Sequence, residues 1–476
     1  MGRPLVAATQ WRSRLTVRFV ADPNDPGLLT PEQSSLLIDQ YEITMAASYH
    51  GLGRNEPAIF EHFVRKLPPN RDWLLVCGLG PTLRLLTEMR FGPREREYLR
   101  SLDCNDDFLA YLEGFRFSGD VEAMPEGTIA FPNEPLVRVT APLIEAQLVE
   151  TLLLNQINFQ TMIATKAARV VLAADGDGDS VIDFSPRRDH GVDAAMKAGR
   201  ATAVAGVGGT SNVAAAMRYG LRPVGTMAHS YVLSFETEQE AFESFMRENP
   251  ENAVLLVDTY DTLEGVRRAI AASEGTGVPL AGIRLDSGDL AALAREARRL
   301  LDDAGLSGAR IVASGDLEEH KIAEMCRDGV PIDVWGVGTD LGTSRDSPVV
   351  NGVYKLVADL RGEAWRGVAK RSAAKETLPG AKQVFRRFRD GTMTEDVVAT
   401  AEEELDGEPL LVPAMRDGEI VLAETLDEMR ARTSRSLAQL PLQLRSPGRK
   451  PPFPVSHSER LRALAAAGEE AFQQRG

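Results

Sequence analysis

The stretch 183–235 concentrates side chains that could hold an anionic substrate. Arg187 and Arg188 follow the apolar run VIDF and a turn-forming Ser-Pro pair, and such guanidinium groups can hold a phosphate or a carboxylate through paired hydrogen bonds. Further on, glycines precede Ser211 and a helix-like run, an arrangement that would direct backbone N–H groups at an anion. Solvated arginines and a glycine turn that only redirects the chain are the ordinary alternatives. Phosphate chemistry is therefore a hypothesis for this stretch, and a plain surface loop is the other.

One histidine of the stretch, His229, lies between the runs PVGTM and YVLSF, whose composition predicts two β-strands. A histidine in such a setting is more often structural than catalytic. Residue type alone leaves both roles open.

The composition is that of a large globular chain. Its 476 residues are 43% hydrophobic, and this length predicts about two or three domains. A net charge of −15 disfavours general binding to nucleic acid or to an anionic membrane. The cysteines, Cys77, Cys104 and Cys326, are too widely separated for a zinc motif and give no disulfide framework. No apolar run approaches the ~18 residues of a membrane span, so we expect a soluble protein, and the cysteine pattern suits a reducing cytoplasm.

Repeated βα units from Ala253 onward give the clearest fold prediction. Apolar runs lead into polar or glycine turns, and helix-like segments such as LAALAREARRLLDDAG separate them. Their spacing predicts right-handed crossovers and hence a parallel sheet. In parallel barrels the functional side chains lie at the carboxyl ends of the strands. Charged residues lie at or just beyond such ends here: Asp258, Arg284, Asp286, Asp316 and Asp340. We assign Asp289 to capping the next helix and leave Asp316 open between a cap and a site residue.

Ten segments in register, from Leu36 to about Leu461, resemble the nicotinate phosphoribosyltransferases. They are LLIDQYEITMA, FEHFVRKLP, DFSPRRDHG, GTSNVAAA, GTMAHSYVLSF, LLVDTYDT, IRLDSGDL, VWGVGTDL, GVYKLV and KETLPGAKQVFR. The resemblance implies a type II phosphoribosyltransferase that joins nicotinate to 5-phosphoribosyl-1-diphosphate (PRPP) in NAD biosynthesis, giving nicotinate mononucleotide and diphosphate. It further implies a ligase-type enzyme that hydrolyses ATP through a phosphohistidine, uses Mg²⁺, and shares its active sites across a head-to-tail homodimer.

The fold that the resemblance implies is α/β: an irregular parallel α/β barrel with an N-terminal α/β domain and a β-rich C-terminal extension. The expected boundaries are a loose arm at 1–27, the N-terminal domain at 28–145, the catalytic barrel at 146–355 and the extension at 356–476. Within the N-terminal domain, the run PAIFEHFVRKLPPN alternates as a strand at an edge or inside a sheet would.

The resemblance also assigns roles to residues at matching positions. His229, in GTMAHS, is implied to be the residue that ATP phosphorylates, and Asp258 of LLVDTYDT to hold its ring. The ribose carbon gains positive charge during transfer, so a carboxylate is needed beside it; we assign Asp286 to this place, with Arg284 gripping substrate. Four residues match the ribose-phosphate cradle: Gly315, Asp316, Gly338 and Thr339.

The nicotinate pocket is implied at further motifs. Arg187 matches the arginine that binds the substrate, Thr226 matches a threonine near the ring, and Tyr41 matches an aromatic residue that the partner subunit supplies. Ser211 stands where nicotinamide-using relatives carry an aspartate that can accept from the amide. An aspartate would repel a carboxylate, so the serine favours nicotinate over the alternative substrate, nicotinamide.

Other classes of function stay open beside this one. A barrel aldolase or isomerase would need a Schiff-base lysine or a base at a strand end, where this chain has aspartates and glycines. A non-catalytic nucleotide sensor would have no use for His229, Asp286 and Arg187 together. Quinolinate could replace nicotinate, but the quinolinate-using family lacks the histidine of GTMAHS.

Overall fold

A computed structural model describes residues 27–30, 32–370, 376–448 and 450–473. The arm expected at 1–27 lies outside the described residues, except for Gly27. No helix in these ranges is both long enough and apolar enough to cross a lipid bilayer.

The chain begins with a mixture of helices and antiparallel strands. In order they are α1 (Gln40–Gly51), β1 (Pro57–Val64), β2 (Leu74–Leu75), α2 (Leu79–Glu88), α3 (Pro93–Ser101), α4 (Asp106–Glu113), β3 (Asp120–Ala123), β4 (Ile129–Ala130), β5 (Pro135–Pro142), α5 (Leu143–Leu148) and α6 (Glu150–Ala173).

The middle of the chain alternates strands and helices. The elements are β6 (Val181–Asp183), α7 (Val192–Val204), β7 (Gly209–Thr210), α8 (Val213–Tyr219), α9 (His229–Leu233), α10 (Glu238–Glu248), β8 (Val254–Leu256), α11 (Thr262–Thr276), β9 (Gly282–Leu285), α12 (Leu290–Asp303), β10 (Arg310–Ala313), α13 (Glu319–Arg327), β11 (Val334–Val337) and α14 (Thr339–Thr343).

The last part is rich in strands, as the sequence predicts. It contains β12 (Gly352–Arg361), β13 (Ala364–Gly367), β14 (Lys382–Arg389), β15 (Thr392–Thr400), β16 (Glu408–Pro409), β17 (Val412–Arg416), β18 (Glu419–Ile420), α15 (Leu426–Gln439), β19 (Val455–His457) and α16 (Glu459–Gln473).

The βα units build a six-stranded sheet in the order β7-β6-β11-β10-β9-β8. Every ladder in it is parallel, which confirms the parallel sheet that the strand spacing predicts. No ladder joins β7 to β8 among the described residues, so the sheet is not seen to close into a complete barrel. An extended segment, 223–228, lies between these two end strands. Pro223 forms an isolated parallel bridge with Thr210, and the Asn252 side chain donates to the Gly225 carbonyl over 3.0 Å.

The strand predictions on either side of His229 are wrong. The run PVGTM contributes an isolated bridge and no strand, and YVLSF lies mostly in the helix α9. Tyr231 and Phe235 are four residues apart, a spacing that places them on one helical face. Their ring centroids lie 5.0 Å apart, and Tyr231 also meets Phe245 of α10 at 5.6 Å. Packing against α10 therefore outweighs the β propensity of these aromatic and branched residues.

The second large sheet is antiparallel, in the order β13-β12-β1-β5-β3-β17-β18. It takes β1, β3 and β5 from the start of the chain and its other strands from the end, so the boundary expected between 355 and 356 falls inside β12. The run predicted as an edge or interior strand is β1, which lies inside the sheet between β12 and β5. Strands from both ends of the chain thus make one structural unit. A separate sheet, ordered β16-β14-β15-β19, packs beside it.

The helix α12 forms over the segment LAALAREARRLLDDAG that the sequence predicts to be helical. Ala294, Ala297 and Leu301 are buried along one side. The Asp289 side chain accepts from the backbone N–H of Ala292 over 3.1 Å. The capping role assigned to Asp289 is confirmed.

A cluster of buried charges holds α6 against α13 and α14. Lys166 of α6 has a side chain only 1% exposed, and its Nζ lies 3.2 Å from Asp340 Oδ1 and 3.1 Å from Asp346 Oδ1. It also contacts the buried carboxylate of Glu319 at the start of α13. The ammonium group of Lys166 therefore balances part of the negative charge of three carboxylates, two of them buried.

Two arginines extend this cluster. Arg71, from the loop after β1, donates to both carboxylate oxygens of Asp346 over 2.8 and 2.9 Å. Arg169 of α6 donates to Glu319 over 3.1 Å. The cluster thus joins the parallel sheet to the loop that follows a strand of the antiparallel sheet.

Replacing Lys166 by methionine should lower the free energy of unfolding by about 3–5 kcal/mol, because the buried carboxylates would lose their shared cation. Chemical denaturation followed by tryptophan fluorescence measures this loss. The matched control is Arg84→Met, which breaks an exposed pair with Glu88 (2.6 Å) on α2 and should cost about 1 kcal/mol or less. Equal losses of unfolding free energy in the two variants would show that the buried cluster stabilises the fold no more than an exposed ion pair does.

Candidate active site

The functional residues predicted from the sequence lie mainly at one edge of the parallel sheet. The turn with Arg187 follows β6, Ser211 follows β7, Asp258 follows β8, Asp286 follows β9, and glycine turns follow β10 and β11. Parallel strands present their carboxyl ends at a common edge. Residues distant in sequence are brought together there.

Arg284 and Asp286 form the centre of this edge. Arg284 Nη2 donates to Asp286 Oδ1 over 2.7 Å, and Nε donates to the Ser314 hydroxyl over 2.8 Å. Arg284 Nη1 lies 3.3 Å from the Thr226 hydroxyl, so the predicted threonine is brought to the same place. The guanidinium also lies 5.3 Å from the ring centroid of Phe184. The sequence motifs assign no role to Ser314 or Phe184, although both residues directly follow strands.

The carboxylate of Asp286 is held in its ionised form. Desolvation by burial would raise its pKa, but the hydrogen bond from Ser314 and the positive charge of Arg284 prevail and lower it. A permanent negative charge at a sheet edge suits a substrate atom that becomes positive.

His229 begins α9 with its side chain 42% exposed. Its Nδ1 lies 3.1 Å from the Thr259 hydroxyl, within hydrogen-bonding distance. Its Nε2 lies 3.9 Å from Asp258 Oδ1, a separation too long for a hydrogen bond. Sequence reasoning named Asp258 as the ring's partner and missed Thr259, its neighbour in LLVDTYDT.

Asp258 couples β8 to β9. Its side chain is 1% exposed, and Oδ2 accepts from the backbone N–H of Asp286 over 3.0 Å and from the Ser287 hydroxyl over 2.6 Å. Oδ1, the atom nearest His229, is buried and has no hydrogen-bond partner among the described residues. A buried acceptor without a donor is costly. This oxygen is therefore available to a donor on a bound substrate or to the N–H of the His229 ring.

The turn after β6 presents Arg187 to solvent. Arg187 is exposed, and no hydrogen bond or ion pair of its side chain occurs in the described part of the chain. The neighbouring strand β7 ends beside Ser211, whose hydroxyl is buried and lacks a protein partner there. An uncommitted guanidinium and an uncommitted hydroxyl on adjacent strands are suited to a carboxylate ligand.

The glycine turn after β10 is built for close approach. Gly315 has φ +90°, and a Cβ on it would lie 2.0 Å from the carbonyl oxygen of Asp286. Asp316 follows with φ +45° and an exposed side chain. The next helix, α13, is capped by Glu318, so the capping alternative for Asp316 is wrong. These turns line a cavity of about 610 Å³ that also includes Asp286 and Lys321.

The turn after β11 leads from Gly338 into Thr339 and the short α14. Both residues are half-buried. Asp340, which also follows this strand, points into the buried cluster, where it contacts Lys166 and Arg345. Its position at a strand end therefore supports the fold, and it does not join the other acids at the open edge.

Tyr41 is the predicted site residue that lies in another part of the chain. It belongs to the first turn of α1 and is 49% exposed. Desolvation by burial and the nearby Glu150 raise the pKa of its hydroxyl. No described contact joins Tyr41 to the edge of the parallel sheet in the same chain.

No group of three or more histidine, cysteine, aspartate or glutamate side chains could hold a metal ion within the described ranges. Mg²⁺ commonly binds through one or two carboxylates together with substrate phosphates. Asp258 and Asp286, the second with a lowered pKa, are the carboxylates of this edge that fit such an arrangement.

Comparisons with known proteins agree with the motifs. Residues 36–158 match the model of the nicotinate phosphoribosyltransferase N-terminal domain, and residues 180–403 match the model of the nicotinate phosphoribosyltransferase family. A nicotinate phosphoribosyltransferase of Mycobacterium tuberculosis is 45% identical over 433 residues, which cover 90% of this chain and 92% of the relative. One of Bacillus subtilis is 42% identical over 360 residues, covering 74% and 73%.

A solved structure shares the fold. The crystal structure of human nicotinic acid phosphoribosyltransferase superposes with a TM-score of 0.77 at 28% sequence identity, covering 91% of this chain and 99% of the human chain.

Asp189, in the turn after β6, should make the stability of the fold depend on pH. Burial and the charge of Asp183 raise the pKa of Asp189 to about 6, above the ~3.9 of an unfolded aspartate. Its contribution to stability is therefore complete below pH ~4 and is lost as the pH rises through ~6. We expect Asp189→Asn to raise the melting temperature at pH ~8, by an amount that shrinks as the pH falls.

Thermal melting of both proteins across this pH range measures the effect. The control is Asp302→Asn, which removes an exposed carboxylate of α12 paired with Arg298 (2.9 Å). A gain in Asp189→Asn that stays constant down to pH ~4 would contradict the titration.

Proposed function

The chain belongs to the nicotinate phosphoribosyltransferase family, and we propose that it joins nicotinate to PRPP in NAD biosynthesis from nicotinate. The products are nicotinate mononucleotide and diphosphate. The observation that carries the proposal is the single edge of the parallel sheet where Arg284 contacts both Asp286 and Thr226 and His229 lies beside Asp258.

The transfer itself needs charge stabilisation more than proton transfer. The lone pair of the pyridine nitrogen forms the bond to the ribose C1′ while the bond from C1′ to the diphosphate oxygen breaks. Positive charge grows on the ribose, and the ionised Asp286 is placed to stabilise it electrostatically. Mg²⁺, when bound with the diphosphate near Asp286 or Asp258, would neutralise the leaving group.

The phosphate of PRPP is proposed to lie against the glycine turns. Gly315 and Asp316 follow β10, and Gly338 and Thr339 follow β11, at the same edge of the sheet. Backbone N–H groups at such turns are complementary to a phosphate.

The residues proposed to surround the pyridine ring favour the carboxylate of nicotinate over the amide of nicotinamide. Arg187 can pair with a carboxylate, and the unpartnered hydroxyl of Ser211 can donate to it. Nicotinamide is the alternative substrate; it would leave the arginine without an anion and would lack the aspartate that its own enzymes place at this turn.

ATP is proposed to act through His229. A ring nitrogen attacks the γ-phosphorus, the bond to the β-phosphate oxygen breaks, and ADP leaves; water later releases phosphate from the histidine. Thr259 and Asp258 lie beside the two ring nitrogens, so one can hold the ring while the other nitrogen reacts. The phosphoryl group would add charge next to Asp286 and so change the affinity for anionic substrates.

A homodimer would complete the site. Tyr41 lies on α1 with no described contact to the sheet edge of its own chain, so a Tyr41 from a second copy is the proposed aromatic cover for the ring. Val192, Val213 and Met217 are exposed apolar residues on α7 and α8, next to the turns with Arg187 and Ser211. Large apolar side chains that cluster on a surface are typical of an interface.

The test is a synthesis assay with the purified full-length chain, PRPP and Mg²⁺. We expect nicotinate to give mononucleotide, ATP to increase the yield, and nicotinamide to give far less product. His229→Asn should lose both the effect of ATP and the label from γ-labelled ATP, whereas His320→Asn, at an exposed histidine of α13, should keep both. Product from nicotinamide alone, or none from either base, would overturn the proposal.

Gly315→Ala should abolish most of the activity, because a Cβ 2.0 Å from the Asp286 carbonyl forces the catalytic strand end to move. A displacement of about 1 Å can cost about a hundredfold in rate. Gly305→Ala is the matched control, since Gly305 also has a positive φ (+77°) but open space around it. Steady-state rates of the two variants decide; comparable losses would attribute the effect to backbone strain alone.

A further inference from the structure

We infer that Asp183 is a positioning residue that fixes the two turns of the nicotinate pocket relative to each other. One of these turns carries Arg187 and the other carries Ser211. The inference rests on the proposed function and adds a residue to it that touches no substrate.

The contacts of Asp183 reach both turns directly. Its side chain is 1% exposed at the end of β6. Oδ1 accepts from the backbone N–H of Ser185 over 2.9 Å, and Oδ2 accepts from the Thr210 hydroxyl on β7 over 2.8 Å. The backbone carbonyl of Asp183 accepts from the N–H of Ser211 over 2.8 Å.

The first turn is organised around Ser185. Its hydroxyl donates to Asp189 over 3.1 Å, and its carbonyl accepts from the N–H groups of Arg188 and Asp189. Arg187 lies inside this turn. Its backbone therefore depends on where Asp183 holds Ser185.

The second turn is organised around Thr210. The Thr210 hydroxyl donates to Asp183 and accepts from the N–H of Asn212 over 3.0 Å. Asn212 in turn caps α8 by accepting from Ala215 over 3.1 Å. Ser211 lies between these two fixed residues, so its free hydroxyl has a defined direction.

The charge of Asp183 has no cation beside it. No lysine, arginine or histidine forms an ion pair with this carboxyl group in the part of the chain that the structure describes, and only neutral donors hold it. A buried carboxyl without a countercharge is expensive. It is well suited, however, to accept one donor on each oxygen, and an asparagine offers a single acceptor oxygen to the same two donors.

If Asp183 had a purely structural role, its replacement would lower the melting temperature without changing the KM for nicotinate relative to that for PRPP. A positioning role would change the KM for nicotinate, so the two roles can be told apart. Thr210→Val removes the donor to Oδ2 and frees the second turn, and Asp183→Asn disturbs both turns. Thr433→Val is the matched control, because Thr433 is an equally buried threonine whose hydroxyl donates to the Val204 carbonyl over 2.8 Å, away from the turns.

The experiment measures steady-state kinetics and melting temperature for the full-length chain and these variants. We expect Thr210→Val and Asp183→Asn to raise the KM for nicotinate by about tenfold or more, the size of one lost hydrogen bond to a charged group. In the same variants, the KM for PRPP should change by less than about threefold. Thr210→Ser, which restores the hydroxyl, should return the nicotinate KM to the wild-type value. Thr433→Val should lower the melting temperature without changing the nicotinate KM.

The outcomes separate the inference from the function beneath it. A wild-type chain that forms no nucleotide from nicotinate overturns the proposed function and the inference together. With an active wild type, an unchanged nicotinate KM in both variants overturns the positioning role alone. So does a parallel rise in the KM values for nicotinate and PRPP, or a Thr210→Ser variant that fails to recover.

Discussion

The common direction of the strands β6 to β11 is the constraint on which the whole site depends. Because each strand ends at the same edge, residues more than a hundred positions apart in the chain become neighbours. The hydrogen bonds across that edge run between strands: Asp258 accepts from the backbone after β9, and Arg284 donates to Ser314 after β10. The sheet therefore sets the spacing of the candidate site residues, and the loops set which side chains stand there.

The aspartates that follow these strands differ in the hydrogen-bond donors and cations that surround them, and these partners decide the role of each. Asp340 meets Lys166 and becomes part of the buried cluster that holds the helices. Asp258 and Asp183 meet backbone N–H groups and hydroxyls, which hold a carboxyl in place without neutralising it. Asp286 meets both kinds, an arginine and a serine, and keeps its charge in a half-buried place. One residue type thus serves the fold, the turns and the chemistry within a single edge.

Sequence periodicity was sufficient for the βα units, because strand, turn and helix repeat there with regular spacing. It was insufficient around His229, where aromatic residues typical of strands pack as a helix against α10. The motifs predicted Arg284, Asp286 and Thr226 for one place, and the structure brings Asp286 and Thr226 into contact with Arg284. Arg284 lies near the carboxyl end of β9, Asp286 directly follows that strand, and Thr226 lies in the segment between the end strands. Thr259, Ser314 and Asp183 stayed hidden because their roles arise from the register between neighbouring strands, which no local pattern encodes. Tyr41 stays a prediction, since no contact in the described part of the chain joins it to the edge of the parallel sheet.

The antiparallel sheet has a consequence for synthesis on the ribosome. Its three central strands, β1, β5 and β3, are made early, but the strands that flank them, β12 and β17, emerge only after the parallel sheet has all its strands. Until then the nascent chain carries two unpaired strand edges, which are prone to pair with other chains. The strands β12 and β17 therefore cover the edges of β1 and β3 only late in synthesis. A ribosome that stalls before residue 412 leaves the edge of β3 unpaired and the chain prone to aggregate.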